Sequence, residues 1–157
     1  MKKVFKYRKK LRLKQGQFYH FKLHKLSLSP EGMNYFVLVD PYGDKHLVPV
    51  EYYSSYNLKV GSSYLCKVDK INCAGQIFIE PPHPFYRENR SYLFRFMHRV
   101  EVKHKSGIVE PFYQFEGENS YYALLSAENF IFPKHLESGI HTFLVKKISK
   151  GMVYIDY

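Results

Sequence analysis

The feature that most constrains this chain is a stretch that it contains twice. Gly61 corresponds to Gly139, the run Val68-Asp69-Lys70-Ile71 to Val145-Lys146-Lys147-Ile148, Gly75 to Gly151, and Ile77-Phe78-Ile79-Glu80 to Val153-Tyr154-Ile155-Asp156. Short runs of β-branched and aromatic residues bounded by glycine or proline favour strands over helices. Gly75 and Gly151 each stand between two such runs, where a tight turn asks for a residue indifferent to the sign of φ, so each copy is expected to be a β-hairpin. The repeat length, roughly 75 residues, is too long for a solenoid unit and suits a small β-barrel. Two like domains in tandem are therefore expected.

Domains this small bury only about 60% of their unfolded surface. This chain compensates with 15 Tyr and 13 Phe, each ring able to bury roughly 150–250 Å². No apolar run approaches the roughly 18–20 residues that cross a bilayer, and the basic start of the chain holds no apolar stretch of signal-peptide length. The expectation is a cytoplasmic protein without membrane association. Cys66 and Cys73 are the only cysteines; their spacing matches no common zinc or redox pattern, so they are read as free thiols behaving as small hydrophobes. The formal charge of +10 is unevenly spread, because residues 1–16 hold eight Lys/Arg and no acid. Such a block does not pack into a core and suits an arm that meets an anionic polymer. A plain solvated terminus is the alternative.

Taken in order, residues 17–26 alternate, with Tyr19, Phe21 and Leu23 on one face and His20, Lys22 and His24 on the other, the mark of a half-buried strand. Ser29-Pro30-Glu31-Gly32 is a turn. Residues 33–40 form a second strand, Pro41 and Gly43 a hairpin loop, and residues 45–50 a third strand that Pro49 confines to an edge or an end. Over residues 51–57 the spacing of Tyr52, Tyr53 and Tyr56 fits a short helix or 3-10 turn. The first hairpin follows, then Pro81, Pro82 and Pro84 hold residues 81–90 as a stiff connector. The second unit repeats the pattern: a strand over 91–103 with one residue added, hence a bulge, strands over 108–115 and 120–125, and a short helical turn over 126–130 with Ser126 as N-cap.

Three strands, a short crossing element and two more strands, given twice, resemble the oligonucleotide/oligosaccharide-binding (OB) superfamily. The resemblance covers nearly everything after residue 16 and implies an all-β protein of two tandem five-stranded barrels. Its domains are a basic tail over 1–16, a first barrel over 17–80, the connector over 81–90 and a second barrel over 91–157. OB barrels bind on the face of strands two and three, flanked by the loops between strands one and two and between strands four and five. They combine a cationic groove with exposed rings on which bases stack. Carried to this chain, that implies Lys22, Lys25, Tyr35, Tyr42, Lys45 and His46 in the first unit, and Lys103, His104, Lys105, Tyr113 and Tyr121 in the second. The tail adds Lys9, Lys10, Arg12 and Lys14. Tyr35 and Tyr113 could equally face a barrel interior, because a one-residue change of pleat phase exchanges the faces.

Catalytic signatures are missing: no Gly-x-Ser-x-Gly, no Walker loop, no His-Glu-x-x-His and no Cys-x-x-Cys. The eight histidines are scattered singly, whereas a metal needs convergent ligands. No metal, cofactor or enzymatic activity is expected. What remains is a binding protein, with single-stranded RNA or DNA as its ligand and RNA the first choice. A protein partner held on an edge strand or the aromatic connector is the rival reading.

Overall fold

The computed structural model describes residues 12–128 and 131–157. Over these residues the chain is all-β, its only helical segments being 3-10 turns at Val50–Tyr52, Ser54–Tyr56 and Lys134–Glu137. No helix among them is long and apolar enough to cross a membrane. Five strands, β1 (Phe18–Leu28), β2 (Asn34–Val39), β3 (Lys45–Pro49), β4 (Ser63–Ile71) and β5 (Ile77–Glu80), form one sheet in the order β3-β2-β1-β4-β5. Five more, β6 (Ser91–Lys103), β7 (Val109–Gly117), β8 (Tyr122–Ser126), β9 (Ile140–Ser149) and β10 (Met152–Asp156), form a second. There β10 pairs antiparallel with β9 and parallel with β8, so the ladder runs from β10 through β8, β7, β6 and β9 back to β10.

In the first unit the alternation on β1 works as the sequence indicates. Phe21 and Leu23 are fully buried with Leu38, Cys66 and Val68, while Lys22 and His24 are exposed. The second unit buries Phe94, Phe115, Phe143, Val145 and Val153 in one cluster. The repeated hairpin carries its bulge at the same place in both halves, although residues 72–76 connect the first pair of strands and only Lys150 and Gly151 the second. In the first, pairing steps from Val68↔Ile79 to Lys70↔Phe78 and leaves Asp69 as the extra residue. In the second it steps from Val145↔Ile155 to Lys147↔Tyr154 and leaves Lys146 extra. Lys150 and Gly151, at φ 51° and 74°, join the paired Ser149 and Met152. Two consecutive positive φ values are the two-residue turn whose twist suits a hairpin.

Three segments depart from the sequence reading. Tyr52–Tyr56, between β3 and β4, belongs with Pro82–Tyr157 to the second unit, where Tyr53 and Tyr56 are buried and the Tyr56 ring meets the His83 ring at 5.3 Å. Residues 82–90 are likewise no free-standing connector. Tyr86 is fully buried in the second unit's cluster, and His83 Nδ1 accepts the backbone N–H groups of Phe85 and Tyr86 at 3.1 and 3.0 Å. Proline stiffness was legible in this segment, but its aromatic rings bury more apolar area than a spacer can leave in water. The second unit's helical turn falls at Lys134–Glu137, anchored by the fully buried Leu136, and not at the expected 126–130, of which 129 and 130 lie outside the described residues. Bulges occur in both first strands: at Met97 in β6, where the added residue predicts one, and at His24 in β1, where none was expected.

Candidate nucleic-acid interface

On the first sheet the ladder gathers four of the expected residues. Val39 pairs with Lys22 on one side and Lys45 on the other, and Val37 pairs with Lys25 and Leu47. Side chains paired across strands share a face, and Tyr35, two residues along from Val37, shares it too. Lys22, Lys25 and Lys45 are exposed there and Tyr35 is half-buried. In the turn after β2, the Arg12 guanidinium lies 5.1 Å above the centre of the exposed Tyr42 ring, a cation–π contact that leaves the other ring face open. Lys14 is exposed close by in sequence, its backbone N–H donating to the Tyr19 hydroxyl at 3.1 Å. Lys9 and Lys10 lie outside the described residues.

His46 is a correction. Its ring turns inward against Phe21, at 5.7 Å and nearly perpendicular, and its Nε2 lies 2.8 Å from Asp40 Oδ2. Burial alone would raise the Asp40 carboxyl. The hydrogen bonds from His46 and from the backbone N–H groups of Asp44 and Tyr42 outweigh that and hold it below its ordinary value. The pair closes the β2–β3 turn and occupies the His46 Nε2 that the sequence reading gave to a ligand.

The second sheet carries a groove of about 790 Å³. Three segments place lysines on it: Lys103 at the end of β6 with Lys105 in the turn after it, Lys146 and Lys147 from β9, and Lys150 from the β9–β10 turn. The β9 pair faces outward because of the bulge. Val145 and Ile148 are both buried while Lys146 and Lys147 between them are both exposed, which strict alternation forbids and an inserted residue permits. Phe112, Leu124 and Tyr154 line the same groove outside the inner core cluster; Phe112 and Leu124 are buried and Tyr154 is half-buried, with the Phe112 and Tyr154 rings 5.9 Å apart. Burial, and next the nearby Glu110 carboxylate, push the Tyr154 phenol up, so it stays neutral. His104 Nε2 sits 2.8 Å from Glu110 Oε2 at the rim. Gly151 fixes the β9–β10 turn: an added Cβ would lie 2.2 Å from the Tyr52 carbonyl oxygen.

Lys103, His104 and Lys105 are thus brought together as expected, whereas Tyr113 and Tyr121 are corrected. Tyr113 stacks on Phe132 at 4.4 Å and 29°, and Tyr121 meets the buried His83 ring at 4.7 Å. Both pack against the core cluster, and neither lines the groove. Sequence reasoning missed Lys146, Lys147, Lys150, Phe112 and Tyr154. A signal for the first two was present, since adjacent lysines between two apolar residues of a strand announce a bulge. Of the two cysteines, Cys66 is buried, its thiol pushed up to about 12 by burial and next by Glu80, and Cys73 is exposed.

Compared with protein-family models, with curated proteins and with solved structures, the chain matches none.

Proposed function

We propose that this protein is a pair of OB-like barrels that binds single-stranded nucleic acid, RNA before DNA, without catalysing a reaction on it. One observation carries the reading: lysines from three separate segments converge on a groove in the second unit whose floor holds the half-buried Tyr154 ring. Cations that follow a phosphate backbone beside rings that accept bases are the two parts of single-strand recognition. The groove lies on outward side chains of the second and third strands of its sheet. It is flanked by the turns between strands one and two and between strands four and five, the place where OB barrels bind. The circular strand order and the parallel β8–β10 pair agree with such a barrel. The first unit's Lys22, Lys25, Tyr35 and Lys45 supply a second, more open face of the same composition.

The test is fluorescence anisotropy with labelled oligouridylate and oligothymidylate at two salt concentrations. Each phosphate neutralised on a single strand contributes about −0.7 to the slope of log K against log salt. Lys146→Gln, Lys147→Gln and Lys150→Gln together should flatten that slope by roughly 2. Absence of binding at low salt, or an unchanged slope in the triple variant, overturns the proposal. A protein partner is the second reading, supported by Leu93, Ile140 and Leu144 exposed on the paired strands β6 and β9; a salt-insensitive interaction lost on Leu93→Ser would select it.

A further inference from the structure

The groove of the second unit holds carboxylates as well as lysines, and one of them is out of place for a surface that only grips phosphate. Glu110 is paired with His104 at 2.8 Å, and Glu128 lies beyond the end of β8, its N–H donating to Ser126 Oγ at 3.4 Å. Asp156 differs. It is exposed on β10, two residues after Tyr154, so the two side chains leave the strand on the same face about 7 Å apart. Both line the groove. Asp156 Oδ1 accepts the N–H of Tyr157 at 3.0 Å, which orients the carboxylate and leaves most of its acceptor sites unused.

A carboxylate at this position repels a phosphate and rewards only hydrogen-bond donors. On a strand laid across lysines and an aromatic ring, the donors are the ribose 2′-hydroxyls of RNA and the base edges, and only the base edges differ from one nucleotide to the next. Guanine presents two adjacent donors, N1–H and the N2 amino group, to the two oxygens of a carboxylate. Cytosine and adenine present one amino group each. Uracil and thymine present a single N–H between two carbonyl oxygens, which a carboxylate repels. We infer that this groove selects guanine over uracil, with Tyr154 as the ring that carries the base and Asp156 as the group that reads its edge. The inference rests on the nucleic-acid reading above and adds its specificity.

The experiment compares an all-uridine strand with the same strand carrying one central guanosine, by anisotropy on the full chain. The guanosine strand should bind about 5- to 150-fold tighter, the discrimination that a good bidentate pair provides. Replacing that guanosine by inosine, which lacks the N2 amino group, should remove most of the gain with the protein unaltered. Asp156→Asn, which turns one acceptor into a donor, should bring the two strands to within about two-fold of each other. Equal affinity of the wild-type chain for both strands overturns the base selection and leaves the proposed function standing. Failure to bind either strand removes the function itself.

Discussion

Gly117 offers the sharpest test of how the second unit is packed. A Cβ added there would lie 1.6 Å from the Tyr86 hydroxyl oxygen, 3.0 Å from its Cζ and 3.3 Å from Phe94 Cε1. Elsewhere a tyrosine tip could swing away, but Tyr86 is fully buried. Its ring centre is within 4.8–5.3 Å of those of Tyr92, Phe85, His83 and Phe94. Gly117→Ala should therefore destabilise the unit by about 1–3 kcal/mol, the usual penalty for overpacking a filled core. The Tyr86 hydroxyl itself has no hydrogen-bond partner among the described residues. Burial, then Glu118, Tyr92 and Tyr121, push its pKa up to about 12, so it is a neutral buried O–H. Leaving such a group unsatisfied costs about 1–3 kcal/mol, and Tyr86→Phe should be neutral or stabilising by up to about 2 kcal/mol. Because the phenylalanine also removes the closest clash, the double variant should be more stable than the sum of the single effects by at least about 1 kcal/mol. Urea denaturation of the full chain, followed by near-ultraviolet circular dichroism and fitted with a transition for each unit, measures all three. A Gly117→Ala midpoint equal to wild type, or strict additivity in the double variant, would refute the packing argument.

Two further outcomes follow from the same cluster and from the groove turn. His83 is held neutral because burial, and next the Arg87 guanidinium, lower its pKa to about 4 from an ordinary 6.5. The unfolded chain binds this proton first as pH falls, so the stabilisation is complete above pH 6.5 and declines by up to about 1.4 kcal/mol per pH unit down to about pH 4. His83→Gln should flatten that limb of a stability–pH curve, and a wild-type curve already flat over the window contradicts the burial argument. Asp40, whose carboxyl is lowered, acts only at lower pH, below its ordinary value of 3.8. Gly151→Ala must both strain a residue at φ 74° and displace a backbone oxygen 2.2 Å away. It should lower stability by about 1–3 kcal/mol and weaken the proposed single-strand binding at low salt by moving Lys150, whereas unchanged affinity would show that the turn's position is irrelevant to the groove.

Much of the strand pattern was legible because it follows from local rules. Alternation on β1 set Phe21 and Leu23 inside and Lys22 outside, and the duplicated hairpin, with its glycines, predicted two sheets of five strands. The cationic turn Lys103-His104-Lys105 was legible for the same reason, since a turn between strands is exposed by its position. The aromatic residues were not. Tyr35 and Tyr113 occupy comparable second strands, yet the first lies on the outer face and the second against Phe132, because pleat phase is fixed by pairing register and not by residue type.

By itself the sequence determined that strands of these lengths form, where most of them turn, and that the pattern occurs twice, because backbone preference and hydrophobic period act within a few residues. Only tertiary structure decided that the aromatic segments Tyr52–Tyr56 and 82–90 join the second unit, that His46 turns toward Asp40, and that lysines distant in sequence, Lys103, Lys105, Lys146 and Lys150, share one groove. Those outcomes depend on which buried surfaces and charges meet across long stretches of chain, where a ring's nearest neighbours in space settle its burial and its neighbours in sequence do not.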